Sequence, residues 1–365
     1  MVGPRKLLGD TEKANVHDVH FEKGTSLFLQ GARKFRKNKM AVTSCATIVI
    51  LYIMSICASF IAPYSFDEGE LEDQNLPPSW YALFMEEGFK EKLKSWAKAE
   101  ENFDFMSDQP MVDRPDPSNI WEDQLTAAEP VAILSFFEKG SMAHLMGTDE
   151  IGQDIFSRVI FGMRLSLFLA LTVTFVSVLI GISYGAISGY FGGWLDALMM
   201  RFVDFLFGIP FIFLVILLMV FFGREIYLIF VGLGLVYWIV LARIVRGQVL
   251  SLKNAEFVLA AKSNGVSEMP IIFRHIVPNV IGPVVVFSTL LVPQIMLLEA
   301  FLSFIGLGVS PPEVSLGILL SDGAAVISSF SWPMIYPGII FSMMIFSMNF
   351  IGDGLRDAFD PKSLK

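Results

Sequence analysis

The sequence predicts an all-α membrane protein with six transmembrane helices. Three observations carry this reading. Apolar residues make up 54% of the chain and charged residues only 17%, where a soluble domain carries roughly 25% charged residues. The apolar residues come in blocks, and five of those blocks reach the length of about 18 residues that a spanning helix needs while containing no Asp, Glu, Lys or Arg.

The five blocks are Met40 to Ala62, Leu165 to Gly189, Phe205 to Phe222, Ile276 to Leu298 and Trp332 to Ile351. At 1.5 Å of rise per residue, each is long enough for a hydrocarbon layer of about 30 Å. A shorter stretch, Ile226 to Ala242, continues past Arg243, whose long side chain can reach the interface, and counts as the fourth of six spans. The chain therefore divides into a basic segment at 1–39, a first span at 40–62, an outer segment at 63–162, a five-helix core at 163–352 that includes a loop at 243–279, and a tail at 353–365.

Orientation follows from lysine and arginine beside the spans. Residues 1–39 hold nine of them, including the run Arg33-Lys34-Phe35-Arg36-Lys37-Asn38-Lys39, which puts that end in the cytoplasm. Six spans return the tail to the same side, where the loop from Arg243 to Arg274 adds five basic residues. The outer loop from Gly308 to Ser331 has none. The eight basic residues between Pro63 and Arg164 do not conflict, because long loops cross largely regardless of charge.

The net charge of −9 comes from the outer segment, with 21 acidic residues between Pro63 and Met163. The basic run beside the first span is read as a topology signal and a contact for anionic membrane lipid, not for nucleic acid. Cys45 and Cys57 both fall in the first span and read as small apolar fillers. That span is too long, and too far from the start, for a cleaved signal peptide.

Within the outer segment, Pro63 to Trp80 is turn-rich, Tyr81 to Phe105 reads as a charged amphipathic helix, and Met111 to Pro117 is extended. Asp149, Asp154 and Arg158 follow, and two carboxylates beside Gly152 read as turn and cap chemistry, with no metal site.

In the second span Gly181, Gly185 and Gly189 line one helical stripe, which permits close packing either within the chain or against a partner subunit. Pro210, Pro283, Pro293, Pro333 and Pro337 interrupt the third, fifth and sixth spans, where freed carbonyls and bends suit helices around a cavity.

The loop after the fourth span is longer than a connection requires. Lys253 to Asn279 reads as two short helices: Asn254 caps the first, Glu256 lies in its first turn and Gly265 ends it, while Ser267 caps the second, Pro270 lies in its first turn and Pro278 opens the next span. Phe257, Ala260, Ala261 and Asn264 share a face, which suits a partner's surface or the chain's own helix ends equally.

Ala260, Ala261, Gly265 and Pro278 resemble the glutamate-alanine-alanine, glycine, proline motif of bacterial ABC importer permeases, and His275-Ile276-Val277-Pro278-Asn279 resembles its oligopeptide and dipeptide group. The likeness extends to Arg36-Lys37-Asn38-Lys39, Gly147-Thr148-Asp149 to Ser157-Arg158, Gly189-Tyr190-Phe191-Gly192-Gly193 with Asp196, Glu299 to Gly308, and Gly352-Asp353 to Pro361, as in the C-type membrane subunit of that group. It covers most of 33–80 and 143–362. The chain departs from the pattern at Leu259, where the motif has its glutamate, at Gln153, which is usually arginine, and in an extra insert at about 81–142.

The resemblance implies the type I ABC importer permease architecture, in the bacterial inner membrane, with a cytoplasmic coupling helix. It also implies a second homologous permease subunit, two ATPase subunits and an extracytoplasmic solute-binding protein. Ala260, Ala261 and Gly265, with Glu256 and Phe257 beside them, are then the residues of the ATPase contact.

The chain has no G-x-x-x-x-G-K-[ST] loop of its own, so ATP hydrolysis belongs to another polypeptide. A competing reading is an ion-coupled secondary carrier, for which Glu299 is the one plausible intramembrane acid. An embedded enzyme is disfavoured, since His17, His20, His144 and His275 lie outside the spans and neither H-E-x-x-H nor G-x-S-x-G occurs; no catalytic residue or cofactor is expected.

Overall fold

The computed structural model describes residues 27–69, 74–76, 78, 144–222 and 226–359. The outer helix at Tyr81 to Phe105, the extended piece at Met111 to Pro117 and the insert at 81–142 lie outside the described residues. Among the described residues the architecture is helical, with one isolated antiparallel bridge between Thr148 and Asp154.

A short helix, α1 (Leu27–Phe35), precedes the first span. Asn38 starts that span, α2 (Lys39–Ile56), by accepting a 3.2 Å hydrogen bond from the Ala41 N–H, the local chemistry that favours asparagine at a helix start. The helix breaks at Cys57 and resumes as α3 (Ala58–Ile61).

Asp154 caps the central helix, α4 (Ile155–Phe191), accepting from the Ser157 N–H at 2.7 Å. At 37 residues α4 outruns the predicted second span at both ends. Gly192 and Gly193, with φ of +66° and +56°, turn the chain into α5 (Gly193–Phe207). These are left-handed conformations that a side chain disfavours.

The predicted third span is not one straight helix. α5 and α6 (Phe211–Phe222) meet at a 79° bend over Gly208, Ile209 and Pro210. Proline lacks the N–H a continuing helix needs and pushes the residue before it out of the helical region. Among the described residues five helices are long and apolar enough to span, and the α5–α6 pair makes six if it is one broken span.

α7 (Ile226–Leu252) extends the fourth span, and Arg243 is anchored as well as long: it pairs with Asp204 at 2.8 Å and lies 4.6 Å over the Phe207 ring. After the loop helix α8 (Glu256–Ser263), the second loop helix is not separate. α9 (Glu268–Pro270), a π-helical turn at Ile271–Ile276 and α10 (Val277–Phe304) run on as one 37-residue rod. Pro278 supplies the reason, because it has no N–H for the preceding turn and its ring needs room, which a widened turn provides. α11 (Leu316–Val326) and α12 (Trp332–Phe359) complete the bundle.

The main core gathers Ile160, Met163 and Leu167 of α4 with Leu233 of α7, Ile295 and Met296 of α10, Leu316 of α11 and Met344 of α12. Phe213, Leu217, Val220 and Phe221 of α6 stay exposed, as side chains facing lipid do. At one end of the bundle Gly31 of α1 and Gly282 of α10 both lie against Phe359 of α12, and the Lys34 ammonium donates to the Asp357 carbonyl. α8 sits between spans.

Candidate coupling site

α8 begins where α7 gives out. Ala255 takes an extended conformation, and its carbonyl accepts from the Val258 and Leu259 N–H groups. This corrects the expected cap: the start position falls on Ala255, one residue past Asn254, and no side chain caps the helix. Glu256 lies in the first turn, where an acid favours the helix dipole.

The end of α8 is built by Gly265. With φ of +72° it lets the Gly265 N–H reach the Lys262 carbonyl and the Val266 N–H reach the Ala261 carbonyl, the paired bonds of a Schellman stop. Ser267 occupies the next start position, with no side-chain hydrogen bond there; its carbonyl accepts from Ile271.

One face of α8 is not free. Val258 and Ala261 are buried, Ala261 at 7% exposure, in a cluster with Ala186 and Tyr190 of α4, Val245 and Val249 of α7, and Ile271, Ile272 and Ile276 of the following turn. The predicted shared face is therefore split. Ala261 turns inward, while Glu256, Phe257, Leu259, Ala260 and Asn264 are exposed. Leu259, which stands where the motif has its glutamate, is 49% exposed, and Met269 and Phe273 add exposed apolar surface after Gly265.

The glycine stripe of α4 underlies this site from within the same chain. A Cβ at Gly181 would stand 2.8 Å from the Leu241 Cβ, one at Gly189 would stand 2.9 Å from the Arg246 carbonyl oxygen, and one at Gly185 would overlap the Ala242 carbonyl oxygen. Backbone thus meets backbone at Gly185 and Gly189, and at Gly181 the bare α4 backbone admits the Leu241 side chain, at intervals of about one turn. Lys262 Nζ lies 5.0 Å from the Tyr190 ring centroid, adding a cation–π link from α8 to α4.

At the opposite end of the bundle, Asp149 and Asp154 act in turns and caps. Asp149 accepts from the Ile151 and Gln153 N–H groups at 3.0 and 2.8 Å and pairs with Arg158, while Asp154 faces His144 Nδ1 at 3.0 Å. Arg158 also approaches Asp322 of α11 at 3.8 Å beside a cavity of about 700 Å³ that Glu150 and Ser310 help line. Asp322 lies outside the spans with its side chain 57% exposed at the cavity edge; partial loss of solvent there, then the nearby Asp149 and Glu150, push its carboxyl above the ordinary range against the pull of Arg158.

Glu299 is wholly enclosed at 1% exposure, with Ser166 of α4, Ser303 of α10 and Ser315 at the start of α11 all donating to it. Among the described residues no group of three or more His, Cys, Asp or Glu side chains is arranged to hold a metal ion.

A helical protein with several candidate spans and a loop helix fastened to the span ends defines the class of multi-pass membrane proteins. Residues 177–365 match the family described as "Binding-protein-dependent transport system inner membrane component", and residues 26–78 match "N-terminal TM domain of oligopeptide transport permease C". The chain is 53% identical over 219 residues to the "Oligopeptide transport system permease protein OppC" of Haemophilus influenzae, covering 60% of this chain and 70% of that protein. It is 39% identical over 339 residues to the protein of the same description from Escherichia coli K12, covering 93% and 92%. With the "Dipeptide transport system permease protein DppC" of Bacillus subtilis it shares 34% identity over 331 residues, covering 90% and 84%. The chain belongs to the family of inner-membrane components of binding-protein-dependent transport systems. It is a multi-pass permease of the ABC kind, and such a permease works with an ATPase and a solute-binding protein.

Proposed function

We propose that the chain forms half of the substrate path of an ATP-driven peptide importer, paired with a second, homologous permease subunit and two ATPase subunits. Peptide cargo is supported by the oligopeptide and dipeptide permeases it is similar to. Both the basic start and the tail face the cytoplasm in this reading, supported by the exposed Arg33, Arg36, Lys37 and Lys39 at the end that carries α8.

The observation that carries the proposal is α8 itself: one face is embedded in the span ends and the other presents Glu256, Phe257, Leu259 and Ala260. That face fits a groove on an ATPase, and closure of the ATPase dimer moves α8 as a rigid element that switches the path between two states. Gly265 sets where the rod of α9 and α10 departs. Ala261 serves the contact from behind, by holding α8 to its base. The acidic outer segment, including 81–142, helps seat the solute-binding protein.

The test is a photoreactive residue at Ala260 in the assembled importer. Capture of the ATPase subunit from that position is expected; capture of no ATPase while the complex hydrolyses ATP and imports peptide would reject the assignment. For the outer segment, deletion of 84–138 is expected to weaken binding-protein affinity, and unchanged affinity and uptake would remove that role.

A further inference from the structure

Near α8 three helices converge on one carboxylate. Asp196 lies in the first turn of α5, Arg246 on α7 and Ser188 close to the end of α4. Arg246 Nε donates to one oxygen of Asp196 at 2.6 Å and Nη2 donates to the other at 2.6 Å, while the Ser188 hydroxyl also donates to the carboxylate. The aspartate side chain is 12% exposed and the arginine 33%. A two-pronged pair of this kind fixes direction as well as distance.

α5 needs such a fastening. It leaves α4 through Gly192 and Gly193, which impose little resistance to rotation, and its buried residues are Asp196 and Val203 alone among those described. Farther from the turn, Val203 rests on Trp238 and Ala242 of α7, Arg243 of α7 pairs with Asp204, and the Tyr184 hydroxyl of α4 donates to the Met199 carbonyl. Trp194, Leu198, Phe202 and Phe205 are exposed. Near its start, then, α5 is located by charge and not by apolar packing.

Both mechanical routes from α8 reach this carboxylate. Val258 and Ala261 of α8 share a cluster with Val245 and Val249, which flank Arg246 on α7. Lys262 of α8 lies over Tyr190, two residues beyond Ser188 on α4. The glycine stripe keeps α4 and α7 together, so displacement of α8 moves both donors at once.

We infer that Asp196 is a positioning residue for transport: through Arg246 and Ser188 it makes α5 follow the α4–α7 pair, and so delivers movement of α8 to the broken α5–α6 segment. This rests on the reading of α8 as the ATPase contact. It assigns coupling to a pair outside the loop that touches the ATPase.

The experiment uses the complete importer, reconstituted with its ATPase, partner permease and binding protein, and measures peptide imported per ATP hydrolysed. Asp196→Asn keeps the volume but loses the charge, and Arg246→Lys keeps the charge but loses the fork. Hydrolysis is expected to stay within about twofold of the parent while peptide per ATP falls about tenfold, a typical coupling magnitude. Ser188→Ala removes one donor of three and gives a smaller fall in the same ratio, which keeps the inference open to rejection if Asp196→Asn fails to accumulate. An unchanged ratio in these variants, or a parallel loss of hydrolysis and import, would overturn the positioning role. Failure of a crosslinker at Ala260 to capture the ATPase in the parent complex would instead reject the reading of α8.

Discussion

Ser315 donates a 2.6 Å hydrogen bond to Glu299 and, with the same oxygen, accepts from the Ile318 N–H at the start of α11. Ser166 repeats the arrangement from α4, donating to Glu299 while accepting from the Leu316 N–H. The positive end of α11 is thus relayed through two hydroxyls to an enclosed carboxylate, which ties α4, α10 and α11 at one point.

Ser315→Ala removes a helix cap and one partner of a buried acid. The expected loss is about 1–3 kcal/mol, combining the usual costs of a missing cap and of an unsatisfied buried group. A lower thermal midpoint of the purified protein in detergent checks it, and Ser315→Thr, which restores the hydroxyl, should recover part of the loss.

The glycines of α4 should differ in sensitivity. At Gly185 an added methyl meets the Ala242 carbonyl, which is backbone and cannot step aside, whereas at Gly181 it meets the Leu241 side chain. Gly185→Ala is expected to destabilise by roughly 1–3 kcal/mol, the range for overpacking, and Gly181→Ala by less. Thermal unfolding of the two variants side by side ranks them.

Gly265 has open space around its missing side chain, so its replacement acts through the backbone alone. A residue other than glycine in the left-handed region costs about 1–2 kcal/mol, and asparagine tolerates it best. Gly265→Asn should retain most uptake per inserted molecule, while Gly265→Val should lose it with insertion intact.

Asp322 provides a pH test. Its carboxyl binds its proton more readily in the folded protein than in the unfolded chain, so ionisation opposes folding: this penalty is present at neutral pH and disappears as pH falls through the carboxylate range. Asp322→Asn is therefore expected to raise the thermal midpoint at pH 7, with the gain shrinking toward pH 4. A difference independent of pH would contradict the sign.

Spans, loop helix and turn glycines were legible because each leaves a local mark: a long uncharged run for α4, a Gly265 that follows a helical repeat, a proline where α6 begins. The Asp196–Arg246 pair left no such mark, since its members lie 50 residues apart and only folding joins them. The available signal was Asp196 beside the resembling Gly189–Gly193 segment and Arg246 one turn past Arg243 on an apolar helix. The helical repeat groups Ala261 with Phe257 and Ala260 without saying which face the rest of the chain covers, and the resemblance that places all three in the contact does not separate the buried Ala261 from its exposed neighbours.

The meeting of α4 and α7 through bare backbone also constrains how this protein can be recombined. A chimera that takes α4 from a homologue with bulkier residues at 181, 185 or 189 would find no room on the resident α7. The two segments form one exchangeable cassette, and grafts that move either without its mate should fail at membrane assembly, before transport is ever tested.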